Sequence, residues 1–128
     1  MDDEQRYVNG MATRREVLGE AYVDRAESAK TDFTAEFQAF ITRYAWGDVW
    51  QRPGLDRRTR SFITLSMLLA LDRADEFMLH VRGALNNGLS RDEIKEVLLH
   101  GAIYCGVPVA NRGYKLAQQV FRDLDAGG

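Results

Sequence analysis

Residues 75–88 read Asp75-Glu76-Phe77-Met78-Leu79-His80-Val81-Arg82-Gly83-Ala84-Leu85-Asn86-Asn87-Gly88. Phe77, Leu79, Val81, Ala84 and Leu85 are packing residues of a helix, and Asn86-Asn87-Gly88 is a helix stop that supplies a left-handed C-cap. Ser90-Arg91-Asp92-Glu93 follows at once. It is an S-x-x-E capping box before the stripe Ile94, Val97, Leu98, Ala102 and Ile103. One helix thus ends and another begins within a few residues, and the chain shows no internal repeat.

Working outward, Asp56 caps a helix through Phe62, Ile63, Leu65, Met67, Leu68, Leu69 and Leu71. It is apolar nearly all round, which predicts a central position. Gly106 is placed to end the helix after the capping box, and Pro108 to start the last one, which carries Val109, Tyr114, Leu116, Ala117, Val120, Phe121 and Leu124. Upstream, Thr31-Asp32 opens a helix in which Phe33, Phe37, Phe40, Ile41, Tyr44 and Ala45 recur with helical period. Trp46-Gly47-Asp48-Val49-Trp50 closes that run, and the Pro53-Gly54 turn follows. Core packing is the expectation for both tryptophans. Residues 3–26 predict two short helical pieces, broken at Asn9-Gly10 and turning near Gly19, and Asp24 to Asp32 reads as a polar connection. No segment alternates with period two, so the fold class is all-α.

The chain has 128 residues, 45% of them hydrophobic and 28% charged, with a net charge of −2. That fits one domain, residues 1–128, with a core of its own. The mixed charge lacks the basic footprint of a nucleic-acid binder. The acidic N-terminus is not a secretory signal, and the longest apolar run, around Met67–Leu71, is too short to span a bilayer, so no membrane association is expected. Cys105 is the single cysteine. It excludes an internal disulfide and C-x-x-C redox chemistry within the chain and fits a cytoplasmic location. His80 and His100 are far apart, so no metal site is expected.

Two groups of residues carry candidate chemistry. Glu76 and His80 are four apart, so on a helix they share a face. As a surface pair they contribute only tenths of a kcal/mol; as a buried pair the carboxylate orients the imidazole and raises its basicity. Arg57, Arg58 and Arg60 crowd a helix N-terminus, where cations oppose the macrodipole. An anion bound there explains them better than helix stability does, although at least one of them fits as a solvated side chain. Cys105 reads as a small buried hydrophobe and His100 as structural or exposed.

Several stretches together resemble the carboxymuconolactone decarboxylase family: Arg14 to Gly19 (RREVLG), Phe37 to Trp50, Arg52 to Leu55 (RPGL), Arg57 to Arg60 (RRTR), LHVRGALNNG, SRDEIKEVLLH and AIYCGVPVAN. They occur in one order from about Tyr7 to Leu124. The resemblance implies an alkylhydroperoxidase-D-like bundle of about six helices. It implies a homo-oligomer, commonly a hexamer built as a trimer of dimers. It also implies cofactor-free decarboxylation of γ-carboxymuconolactone to β-ketoadipate enol-lactone and carbon dioxide, in protocatechuate degradation. His80 and Glu76 become the catalytic candidates. Arg60, Arg57, Arg58 and Arg82 become the carboxylate-binding ones. Tyr22, Trp46 and Cys105 are candidates to line the pocket. Peroxidase-type relatives carry C-x-x-C-x-x-x-H. Matching that histidine to His80 puts Arg73 and Glu76 where the cysteines stand, which disfavours a thiol-dependent antioxidant. The family's decarboxylases read H-V-D-R where this chain has Tyr22-Val23-Asp24-Arg25, which keeps open a different substrate on the same fold.

Overall fold

The computed structural model describes residues 1–127. Among them are seven α-helices and no strand: α1 Asp3–Leu18, α2 Glu20–Ser28, α3 Ala35–Ile41, α4 Arg57–Ala70, α5 Ala74–Asn86, α6 Arg91–Tyr104 and α7 Val107–Asp125. A π-helical turn, Thr42–Trp46, and a 3₁₀ turn, Val49–Gln51, lie between α3 and α4. The all-α expectation holds, with one helix more than the resemblance suggests. The chain divides into two compact units, Met1–Arg57 and the remainder from Arg58.

In the first unit α1 runs unbroken through Asn9-Gly10, where a break was expected. The reason is tertiary. A Cβ at Gly10 would sit 2.0 Å from the Thr42 carbonyl oxygen, and one at Gly47 would sit 2.1 Å from the Arg6 carbonyl oxygen. The two glycines allow backbones to touch; they do not end a helix. The turn at Gly19 is present, with φ +94°. α2 continues to Ser28, through most of the stretch read as a connection. Arg14 is 4% exposed, donates to Gln38 Oε1 at 3.1 Å and lies 3.6 Å from Glu27 Oε1. It ties α1 to α2 and α3.

The aromatic residues of α3 and of the turn before it face outward: Phe33, Phe37 and Phe40 are 95, 62 and 54% exposed. Trp46, just beyond, is buried and stacks on Trp50 with centroids 5.1 Å apart. Trp46 is the last residue of the π turn, which the Gly47 amide closes by donating to the Thr42 carbonyl at 2.9 Å. Six residues past Phe40, Trp46 stands roughly on the opposite side of the helical path from the exposed stripe, which turns it inward.

The second unit has its own core: Leu65 and Leu69 of α4, Phe77, Val81 and Ala84 of α5, Leu89, Ile94 and Leu98 of α6 and its entry, and Ala117 and Val120 of α7. The expected capping box is present, Ser90 Oγ accepting from the Glu93 amide and Glu93 accepting from the Ser90 amide. Gly106, at φ +101°, separates α6 from α7, and Pro108 sits in the first turn of α7. α4 corrects an expectation. Only its Ser61–Leu65–Leu69 face is buried, while Ile63 and Met67 are exposed. It lies at a surface, apolar on both sides.

Candidate functional site

Gly88 stands at φ +95°, a backbone that side-chain-bearing residues rarely adopt, and it closes α5 as the Asn-Asn-Gly sequence requires. Around this corner the polar groups satisfy one another. Arg58 donates to the Gly88 carbonyl and to the Glu93 carboxylate. Asn87 Nδ2 donates to Ser61 Oγ at 2.9 Å, and Ser61 is buried. The Arg58 guanidinium, with help from the Ser90 amide, holds the Glu93 carboxyl below its ordinary range. Arg58 thus ties the first turn of α4 to the α5–α6 corner. Arg60, two residues on, is half-buried, and its carbonyl accepts from Thr64 Oγ1 at 2.8 Å. Asn87 and Ser61 were not recognisable as a pair from sequence. The Asn-Asn-Gly signal announced a stop, and nothing announced its partner 26 residues upstream.

His80 lies in the middle of α5, half-buried, and burial lowers its pKa to about 4. A carboxylate close enough to keep the ring charged would raise the pKa instead. Glu76 is one turn earlier on α5 and exposed. At neutral pH the imidazole is therefore uncharged, with roughly one ring in a thousand protonated at pH 7. A neutral imidazole donates from one nitrogen and accepts at the other. Arg82, two residues on, is half-buried and lies 3.9 Å from Asp123 Oδ2.

The remaining candidates are distributed between the units. Arg57, in the first unit, pairs with Glu16 at 2.6 Å. Tyr22, on α2, is half-buried, and Trp46 is buried. Cys105, in the second unit, is half-buried and lines a cleft of about 330 Å³ between α4 and α6. His100 is exposed, as expected, and stacks on Tyr104 at 5.0 Å. Among the described residues no three His, Cys, Asp or Glu side chains are placed to hold a metal ion.

The model of the carboxymuconolactone decarboxylase family matches residues 35–119. A 4-carboxymuconolactone decarboxylase of Acinetobacter baylyi is 51% identical over 97% of this chain and 92% of its own. A nitrosuccinic acid decarboxylase of Metarhizium robertsii is 44% identical over 90% of this chain and 80% of its own. A 4-carboxymuconolactone decarboxylase sequence from Pseudomonas putida is 56% identical over 38% of this chain and all of its own.

Proposed function

The chain belongs to the carboxymuconolactone decarboxylase family, and on that premise we propose that it is a carboxy-lyase converting γ-carboxymuconolactone to β-ketoadipate enol-lactone and carbon dioxide in protocatechuate breakdown. The observation that carries this reading is the 51% identity to a 4-carboxymuconolactone decarboxylase over nearly the full length of both chains. The family model spans the boundary at Arg57 and Arg58, which supports treating the two units as one functional domain.

The substrate supplies its own electron sink. Its leaving carboxylate sits on the lactone carbon γ to the carbonyl. As the bond to carbon dioxide breaks, the electron pair moves through the double bond to the carbonyl oxygen, giving a dienolate. A proton then adds to the α-carbon. The protein has to hold two carboxylates and stabilise the dienolate oxygen, and the chemistry asks for no cofactor.

His80 suits the dienolate oxygen. A buried neutral imidazole donates a hydrogen bond where water is scarce, and such donors lower the barrier most when charge develops in front of them. Its lowered pKa favours this role over that of a standing imidazolium acid. Glu76, exposed one turn away, is the accessory group that exchanges protons with solvent. Arg60 and Arg82, both half-buried, are the proposed holders of the substrate carboxylates, with Arg57 and Arg58, the latter bonded into the α5–α6 corner, as further candidates. Tyr22 and Trp46 are pocket candidates from the first unit. Cys105, in the α4–α6 cleft, is a wall candidate and not a nucleophile.

We further propose a cytoplasmic homo-oligomer, a hexamer built as a trimer of dimers, with neither nucleic acid nor membrane as partner. The exposed apolar faces of α3, α4 and α6 support the oligomer, the single cysteine fits the location, and no described helix is long and apolar enough to cross a membrane. The deciding assay mixes micromolar protein with γ-carboxymuconolactone and follows the fall in ultraviolet absorbance together with release of carbon dioxide. No turnover above the uncatalysed rate would end the assignment.

A second reading rests on the nitrosuccinic acid decarboxylase relative and on Tyr22. Nitrosuccinate is also a dicarboxylate whose leaving group lies beside an electron sink, in that case a nitro group. On this reading the chain prefers another member of that substrate class, and comparing kcat/KM for the two acids separates the alternatives.

A further inference from the structure

The proposed mechanism divides its work between two helices, with Arg60 in the first turn of α4 and His80 in the middle of α5. Both groups can serve one substrate only if the two helices keep a fixed register along and around their axes. Apolar packing sets that register poorly. α4 buries Leu65 and Leu69 in the core, and the hydrophobic effect is non-directional, so it resists separation of the helices more than a small slide or roll.

A directional bond does set the register. Asn87 Nδ2 donates to Ser61 Oγ at 2.9 Å and joins the end of α5 to the start of α4. Ser61 is 3% exposed, so water is not at hand to replace a lost donor. Thr64 and Ser66, further along α4, donate to the carbonyls four residues back, those of Arg60 and Phe62, at 2.8 Å each. Those bonds are internal to α4. The bond at Ser61 crosses to another helix, and it does so at the residue next to Arg60.

Helical geometry places both ends of this bond with the candidate reactive groups. Arg60 and Ser61 are consecutive, about 100° apart around α4. Asn87 follows His80 by seven residues, about two turns, so both stand on nearly the same side of α5. Arg58, three residues before Ser61 and on its side of α4, adds ties to the Gly88 carbonyl and the Glu93 carboxylate. We propose that Asn87 is a positioning residue of the decarboxylase site, which through Ser61 holds Arg60 in register with His80. This deepens the function proposed above and rests on the roles given there to Arg60 and His80. Displacements of about 1 Å that originate away from the reacting atoms cost up to about 10²-fold in rate, so a lost register is measurable.

The test is a double-mutant cycle in steady-state kinetics with γ-carboxymuconolactone, run well below the unfolding temperature so that every variant is fully folded. Asn87→Ala is expected to raise KM about five- to tenfold and to keep kcat within about threefold, a weaker copy of Arg60→Ala. Added to Arg60→Ala, it is expected to change KM by less than about twofold, because the side chain it positions is gone. Its effect on the urea midpoint is expected to be the same with and without Arg60; a merely structural role would move that midpoint and leave the kinetic coupling at zero. Ser61→Ala provides the same readings if Asn87→Ala fails to fold. A wild-type KM in the folded variant, or an equal rise with and without Arg60, overturns the positioning role and leaves the decarboxylase standing. No turnover by the wild-type chain overturns the decarboxylase reading and this role with it.

Discussion

The two ends of α5 use polar residues in opposite ways. At its C-terminal end Asn87, Gly88, Ser61, Arg58 and Glu93 are bonded to one another, and each spends its hydrogen-bonding capacity on the corner. At mid-helix His80 is shaped by loss of water, and its pKa falls to about 4. A bonded cluster gains stability and geometry but has little reactivity left to offer. A desolvated imidazole costs stability in acid and in return presents a neutral donor in a dry place. On the proposed mechanism, the difference puts the chemistry of the segment in its middle and the mechanical role in its end.

The contrast is broken first by His80→Ala. On the proposed mechanism kcat falls by about 10²–10⁴, the usual worth of a positioned proton-handling group, while the fold stays intact by circular dichroism. A loss under about tenfold would remove His80 from the chemistry.

Acid sharpens the same contrast. The unfolded chain binds a proton at His80 with a pKa near 6.5, and the folded chain only near 4. Below pH 6.5 the unfolded state therefore holds more protons, and stability falls with pH until about 4. The loss from this group is on the order of 3 kcal/mol, at about 1.4 kcal/mol per unit of pKa difference. Urea unfolding from pH 7 to pH 4 should show that slope in the wild type and a flatter one in His80→Gln. Parallel curves would mean the imidazole is better solvated than its burial indicates.

At the other end of the helix, Asn87→Ala leaves the buried Ser61 hydroxyl without its donor and should cost about 1–3 kcal/mol in the same unfolding experiment. An unchanged midpoint would show that the corner does not rely on this bond. The smallest effect expected is that of Glu76→Gln: stability within about 0.5 kcal/mol, because the side chain is exposed, and kcat within about tenfold. A collapse of kcat comparable to that of His80→Ala would restore the carboxylate to an equal catalytic role.

Helix-forming signals that are local came through in the sequence. The capping box at Ser90 and Glu93, the stop at Gly88, the turns at Gly19 and Gly106 and the first-turn Pro108 are short-range hydrogen-bond or backbone effects, and all are present. The Gly10 reading failed because glycine marks a break and a close backbone contact with the same letter. Only the Thr42 carbonyl at its side distinguishes them. The burial expected of α4 failed for a related reason. Periodicity counts apolar residues on a face without knowing what covers that face, and Ile63 and Met67 are uncovered by this chain.

The candidate site divides along the same line. Sequence alone determined that the chain is all-helical and that α5 ends at an Asn-Asn-Gly corner, and it put forward His80 and a cluster of arginines as the candidate reactive groups. Each of these follows from residue type and spacing over one or two turns. Only the tertiary structure decided that Arg58 belongs to the corner, that Arg57 pairs with Glu16, that Glu76 stays in water and that His80 loses its charge. Those outcomes depend on desolvation and on partners tens of residues away, and neither is written in the spacing of neighbours along a chain.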